Sequence, residues 1–347
     1  MFSSNLNRIR ALDLYCGVGG SSLGARLAGV EVVAAIDRWA LARDTFKDNF
    51  PAATFYRRKA EKVKPQEIIG DTGGSIQLLL ASPECTNHTC AKGNGERSEE
   101  SRRTAFQVIR FARVLRPRWI VVENVIHMRS WNRYPEWLAK LCNLGYKVTE
   151  QILNAAHFSV PQSRKRLFVI CDLEHEPLEV LPVATARIRT AREIVNPNGT
   201  YRFSRLKTDN RAAATLERAE RAMANVGARE PFLLVYYGTD GSGGWQSLDR
   251  PLRTITTVDR FAFVRPNHYQ HEMRMLQVPE LRSAMGFPEE YQLNHGTRRD
   301  KIKLLGNAVC PPVMSAILKS LTSDLTNASS RNLDGSTKLH IYADSKI

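Results

Sequence analysis

Short apolar runs alternate with amphipathic stretches along the first half of the chain. Residues 9–16 (IRALDLYC) form one such run, stopped by Gly17-Val18-Gly19-Gly20; SSLGARLAG then takes helical spacing as far as Gly29. VEVVAAID (30–37) is β-branched and predicts a second strand. IQLLLASP (76–83) is a third apolar run, ending at Pro83. SRRTAFQVIRFARVLRP predicts an amphipathic helix with Phe106, Ile109 and Val114 on its apolar face and a stop at Pro117. WIVVEN (119–124) is a further strand and YPEWLAKLCNLG a helix closed by Gly145. YKVTEQILNA and KRLFVICDL complete the series as strands. Strands alternating with helices predict an α/β fold with a doubly wound, largely parallel sheet. In such sheets ligands lie beyond the carboxyl ends of the strands. Most of the polar clusters in this sequence fall there.

The rhythm breaks near residue 173. Residues 173–250 are rich in Pro, Asn, Gly and Arg, with one helical run (RAAATLERAERAMANVG) and a Gly-rich stretch (YYGTDGSGGWQ). They read as a smaller, basic, inserted domain. MRMLQVPELRSAMGF then reads as a helix, and KIKLLGNAVCPPVMSAILKSL as a loop followed by a helix. Residues 323–347 are polar and unpatterned, a loose tail.

Composition narrows the class. The 347 residues carry 43% hydrophobic and 24% charged residues, a globular balance. Lys and Arg outnumber Asp and Glu by 50 to 35, for a net charge of +15. That surplus points to a polyanionic partner such as nucleic acid. The six cysteines (16, 85, 90, 142, 171, 310) include no CxxC pair, which predicts reduced thiols in a cytosolic protein. The N-terminus lacks the apolar run of a signal peptide, and no stretch reads as a membrane span.

Five clusters carry candidate chemistry. Asp13-Leu14-Tyr15-Cys16-Gly17-Val18-Gly19-Gly20 is a strand, a glycine turn and a helix start, where backbone N–H groups can approach a ligand. Asp37 ends the next strand, where a carboxylate can bind ribose hydroxyls. Alone, this fits a nucleoside-containing cofactor, a dinucleotide, or an ordinary tight turn. Ser82-Pro83-Glu84-Cys85 puts a thiol just past a buried strand, as a nucleophile or as an inert core cysteine. His88 and Cys90 follow closely, but no four-ligand zinc set can be assembled. Glu123 and Asn124 end the strand WIVVEN, where a carboxylate is costly unless used as an acid, a partner or a cap. Gln162-Ser163-Arg164-Lys165-Arg166 opens a strand. Alternation there puts the guanidiniums of Arg164 and Arg166 on one face, suited to a phosphate, a carboxylate or a base carbonyl, or simply forming a solvated charge run. Gly306-Asn307-Ala308-Val309 is a small-residue loop able to lie against a ligand.

In this order, DLYCGVGG, SPEC, ENV, QSRKR and GNAV resemble the segments of the DNA cytosine-5 methyltransferase family. RPLRTITT (250–257) and RMLQVPELRSAMGFP (274–288) are similar to family segments as well. The likeness covers residues 10–172 and 248–320. It implies a Rossmann-like methyltransferase sheet with a smaller inserted target-recognition domain, S-adenosylmethionine as cofactor and duplex DNA with a target cytosine as substrate. The implied division is a catalytic domain of residues 1–172 plus 288–322, a recognition domain of 173–287 and a tail of 323–347. Cys85 would attack carbon 6 of a flipped-out cytosine. Glu123 would hold the ring at N3 and the amine, Arg166 would meet the base carbonyl, and Arg164 would support the site. Asp13, Tyr15, Cys16, Gly17, Gly19, Gly20, Asp37, Pro83, Asn307, Ala308 and Val309 would surround the cofactor. Arg187, Arg189, Arg192, Arg202, Arg205 and Lys207 would serve bases or phosphates. The resemblance further implies a monomer in a bacterial or phage-infected cytoplasm, a restriction endonuclease as its functional counterpart, and no membrane or metal.

Three departures stand out. Glu84 occupies the place of the usual proline, and a carboxylate beside a thiolate opposes its ionisation. Glu61 is the one candidate where the family often has an Asp toward the adenine amine. TNHTCAKGNG replaces a shorter, aromatic-containing run, which leaves a modified base or altered donor open. A tRNA cytosine methyltransferase and a non-catalytic DNA-binding relative are the competing readings.

Overall fold

The computed structural model describes residues 8–83, 99–182, 187–198, 200–236, 243–267 and 270–323. The first half forms a seven-stranded sheet. Its strands are β1 (Arg10–Leu14), β2 (Glu31–Ile36), β3 (Thr54–Tyr56), β4 (Leu78–Ala81), β5 (Trp119–Asn124), β6 (Lys147–Asn154) and β7 (Lys165–Asp172), in the order β3-β2-β1-β4-β5-β7-β6. The first five pair in parallel, whereas β7 runs antiparallel to both β5 and β6. The alternating apolar runs thus produce the doubly wound sheet expected of them. The strand order reverses between β1 and β4, so a crevice opens beyond their carboxyl ends.

Helices cover both faces because the central strands are apolar on both sides. One face packs on α3 (Pro65–Thr72), α4 (Glu99–Leu115) and α5 (Tyr134–Asn143) through Leu79, Ile120, Val122, Val108, Phe111 and Trp137. The other face packs on α1 (Gly20–Leu27) and α2 (Ala40–Asn49) through Leu78, Val121, Phe168, Leu23 and Phe46. The same cluster takes in helices from the far end of the chain: α7 (Val278–Ala284), α8 (Arg298–Asn307) and α9 (Pro311–Leu321).

A second, fully antiparallel sheet follows from the middle of the sequence. It comprises β8 (Ser204–Arg205), β9 (Phe232–Val235), β10 (Trp245–Ser247), β11 (Phe261–Asn267) and β12 (Gln270–Met275), in the order β10-β9-β11-β12-β8. Period-two alternation serves two cores. Phe232, Leu234 and Val264 face α6 (Ala213–Val226), while Leu233, Val235 and Phe263 join the main cluster.

Two expectations need correction. MRM, read as the start of a helix, belongs to β12, and α7 begins only at Val278. Gly306 and Asn307, read as a loop, are the last two residues of α8. Residues 298–321 are apolar overall but divide into two short helices, α8 and α9, whose buried side chains pack into the core.

Candidate active site

β1 delivers Asp13 to the crevice, and the chain then turns on three positive-φ residues: Tyr15 (61°), Gly17 (51°) and Gly19 (85°). Gly17 donates its N–H to Asp37 Oδ2 at 3.0 Å, and Trp39 N–H donates to Asp37 Oδ1 at 2.9 Å. The carboxylate at the end of β2 thus supports the glycine turn as well as facing the crevice. A Cβ on Gly17 would meet nothing within 4 Å, so this side of the turn is open for a ligand. A Cβ on Gly20 would stand 2.2 Å from the carbonyl oxygen of Val309. Gly20 is therefore required by close approach, and Val309 closes on the loop through backbone rather than side chain. Ala308 and Val309 are buried, while Asn307 is exposed at the end of α8.

Asp13 is fully buried. Ser22 Oγ donates to its Oδ2 at 2.6 Å, and its Oδ1 has no hydrogen-bond partner among the described residues. Burial lifts this carboxyl from 3.8 to about 7; the Ser22 bond opposes that rise and the nearby Asp37 carboxylate adds to it. Burial also raises the Cys16 thiol well above its usual range, assisted by Asp37 and Asp13. Cys16 is thus a protonated wall residue, not a nucleophile. The Tyr15 hydroxyl donates to the carbonyl of Thr104 on α4 at 3.0 Å. Glu61 sits on the short 3-10 turn Ala60–Lys62, exposed, and α4 clamps that turn: Arg110 donates to the carbonyls of Ala60 (2.5 Å) and Val63 (3.0 Å). An orphaned buried carboxylate oxygen, open space beside Gly17 and a second carboxylate at Asp37 fit a cationic, nucleoside-bearing ligand.

The second half of the site lies at the end of β5. Pro83 is placed by Asn124, whose Nδ2 donates to the Pro83 carbonyl at 3.1 Å while its Oδ1 accepts from Val125 N–H at 2.8 Å. Glu84, Cys85, His88 and Cys90 lie outside the described residues. Glu123 is buried and forms an ion pair with Arg166, Nε to Oε1 3.2 Å. The register explains the pairing. Glu123 lies opposite Phe168 on β7, so Arg166, two residues earlier, is its diagonal neighbour on the same face. Because β7 is antiparallel, its start meets the carboxyl end of β5. Burial raises the Glu123 carboxyl above its ordinary value; Arg166 and then Arg164 pull it back.

Arg164 does not share an open face with Arg166, contrary to the expectation from alternation. It precedes β7, is only 3% exposed, and gives its guanidinium to backbone: Ile255 O (3.0 Å), Gly306 O (2.9 Å) and Ala308 O (3.0 Å). Neighbouring Gln162 completes the seam, accepting from Ile255 N–H and donating to Ala284 O and Met285 Sδ. Residues 252–255, 284–285 and 306–308 are thereby gathered beside Glu123. Among the described residues no three-residue metal-ligating group occurs, and Cys16, Cys142, Cys171 and Cys310 are free thiols.

Of the six cations expected to meet nucleic acid, Arg187 and Arg189 pair with Glu193, and Arg192 pairs with Asp249. Arg202, Arg205 and Lys207 are exposed around the edge strand β8, with no side-chain partner among the described residues. Sequence reasoning missed Ser22, Arg110 and Tyr291. Each acts through a fold contact that no local pattern announces.

The family described as C-5 cytosine-specific DNA methylase matches residues 9–323. The Type II methyltransferase M.HgiDI of Herpetosiphon aurantiacus is 28% identical over 314 residues, covering 87% of this chain and 90% of the relative. The Type II methyltransferase M.HindV of Haemophilus influenzae is 26% identical over 318 residues, covering 87% and 92%. Among solved structures, the S. pombe Dnmt2 methyltransferase superposes with a TM-score of 0.68 over 92% of this chain and 99% of that one. At 18% identity, that likeness speaks for the fold.

Proposed function

The chain belongs to the C-5 cytosine-specific DNA methylase family, and from that premise we propose how its residues divide the work. The protein is a DNA (cytosine-5)-methyltransferase: it moves a methyl group to carbon 5 of cytosine in DNA. S-adenosylmethionine, when bound, supplies that methyl group on a sulfonium. Asp37 would hold the ribose and Glu61 the adenine amine. The turn Tyr15–Gly20 with the Val309 backbone would enclose the rest, and the free oxygen of Asp13 would face its positive end.

Cys85 adds to carbon 6 of the cytosine, which makes carbon 5 electron-rich. Glu123 supports that addition by presenting its carboxyl to N3, where negative charge develops. Burial raises its pKa above the ordinary carboxyl value, the direction that favours proton donation to the ring. Arg166 orients Glu123 and meets the base carbonyl. Arg164 is a positioning residue that holds the wall of the base pocket. After methylation, loss of the carbon-5 proton and departure of the Cys85 thiolate restore aromaticity. The base has to leave the duplex first, since neither ring face is reachable in the stack.

We assign DNA recognition to residues 173–287 and catalysis to 1–172 with 288–322. Arg202, Arg205 and Lys207 contact phosphates, because their charges meet no partner among the described residues. The enzyme acts as a monomer in a bacterial cytoplasm, as the protective counterpart of a restriction endonuclease.

One observation carries the chemical reading: buried Glu123 paired with half-buried Arg166 at the carboxyl edge of β5, beside the strand end that leads into Cys85. The test is incubation with methyl-labelled S-adenosylmethionine and mixed-sequence duplex DNA, followed by nucleoside analysis. 5-Methylcytosine is expected, and is lost in Cys85→Ser and Glu123→Gln. Label in tRNA but not in DNA, or no label with either, refutes the assignment.

A further inference from the structure

Gly286-Phe287-Pro288-Glu289-Glu290-Tyr291 joins α7 to α8, and the reaction gives it no task. It is distant in sequence from the glycine turn yet forms part of its floor. Tyr291 is 1% exposed, and its hydroxyl donates to the carbonyl of Val18. A Cβ built on Gly19 would stand 2.8 Å from that hydroxyl and 3.1 Å from the rings of Phe46 and Phe50. The turn therefore rests on three aromatic side chains.

The Val18–Gly19 peptide is one rigid plane, gripped at both ends. Its carbonyl accepts from Tyr291, and its N–H donates to the Cys16 carbonyl at 2.8 Å. Tyr291 is itself held. Its ring packs on Phe287 at 4.7 Å between centroids, and Arg282 donates to its carbonyl at 3.1 Å. The next residue, Gln292, exchanges two 2.9 Å hydrogen bonds with Asn49 at the end of α2.

We propose that Tyr291 is a positioning residue for the methyl donor, fixing the Val18–Gly19 peptide so that the glycine turn is already in its binding shape before the ligand arrives. The inference rests on reading that turn as the donor's cradle. A preshaped turn spends less binding energy on ordering itself, so the hydroxyl bears on affinity rather than on the chemical step.

Tyr291→Phe keeps the ring and removes the hydroxyl. S-adenosylhomocysteine, the demethylated product, probes binding without turnover, by calorimetry on the full-length protein. We expect Kd for this ligand and KM for S-adenosylmethionine to rise about fivefold, as for one lost buried hydrogen bond. kcat and KM for DNA should stay within twofold. Tyr146→Phe is the control. It loses a buried 2.6 Å bond to the Pro117 carbonyl on the opposite face of the sheet, and should lower Tm while leaving ligand binding unchanged. Unaltered affinity in Tyr291→Phe overturns the proposal, as does equal weakening in Tyr146→Phe, which would mark a general stability effect. Failure of the wild-type chain to bind S-adenosylhomocysteine would instead bring down the cradle reading, and this inference with it.

Discussion

Replacing Arg164 with methionine should damage stability far more than replacing Arg166, although the two arginines stand two places apart in one basic run. Methionine roughly fills the space of the arginine stem but offers no donor. The carbonyls of Ile255, Gly306 and Ala308 each lose a charged hydrogen bond of 2.9–3.0 Å at a site that is 3% exposed. At about 1.5 kcal/mol for each bond to a charged donor, the cost is roughly 4.5 kcal/mol. Unfolding entropy near 2.1 cal/mol/K per residue gives about 0.7 kcal/mol/K for 347 residues, so Tm should fall by roughly 6 °C. Arg166 is 17% exposed in its side chain and bonds one carboxylate. Arg166→Met should lower Tm by less than about 2 °C, since Glu123 can take up a proton when its partner is lost. Its methyl transfer should drop about a hundredfold, a usual loss when one charge-stabilising group is removed. Differential scanning calorimetry and a methyl-transfer assay on both variants decide the matter. An Arg164→Met protein that melts within 1 °C of wild type, or Arg166→Met as the less stable of the two, refutes the reasoning.

Three further outcomes follow from the same geometry. Asp13 has its pKa raised from 3.8 to about 7, so it favours folding fully below pH 3.8 and loses that contribution as pH rises through 7. The shift of about three units corresponds to roughly 4 kcal/mol. Ligand-free Asp13→Asn should therefore gain up to that much at pH 8 and nothing near pH 4; urea midpoints that differ equally at both pH values would contradict this. Gly20→Ala drives a methyl into the Val309 carbonyl and should cost about 3 kcal/mol together with ligand binding, whereas Gly17→Ala meets open space and should cost about 1 kcal/mol for its positive φ; thermal unfolding that ranks them the other way would be decisive against it. Replacing Arg202, Arg205 and Lys207 together by alanine should reduce the slope of log Kd for DNA against log salt by about 2–3 in fluorescence anisotropy, with a smaller change for the already paired Arg187, Arg189 and Arg192.

Much of the site was legible because its parts are local. The strand–glycine–helix of residues 10–27, Asp37 at a strand end and Glu123 at another are consequences of hydrophobic runs and turn chemistry, which act over a few residues. The ends of α8 were harder to read, since Gly306 is a poor helix former and only packing against Thr256 and Thr257 makes its lack of a side chain useful there. The direction of β7 was not readable at all. A buried apolar run looks the same whichever way it joins the sheet, and only the antiparallel pairing brings Arg166 to Glu123.

Local periodicity and residue types in the sequence carried the fold class and the order of the motifs, and the family resemblance of those motifs implied the reaction. Tertiary structure alone decided which of two similar arginines pairs with Glu123 and which holds backbone. It decided which cations are already spent on Glu193 and Asp249, and that Tyr291 reaches across the chain to Val18. Those roles depend on register and burial, where a residue's chemistry is set by neighbours between 4 and 273 positions away.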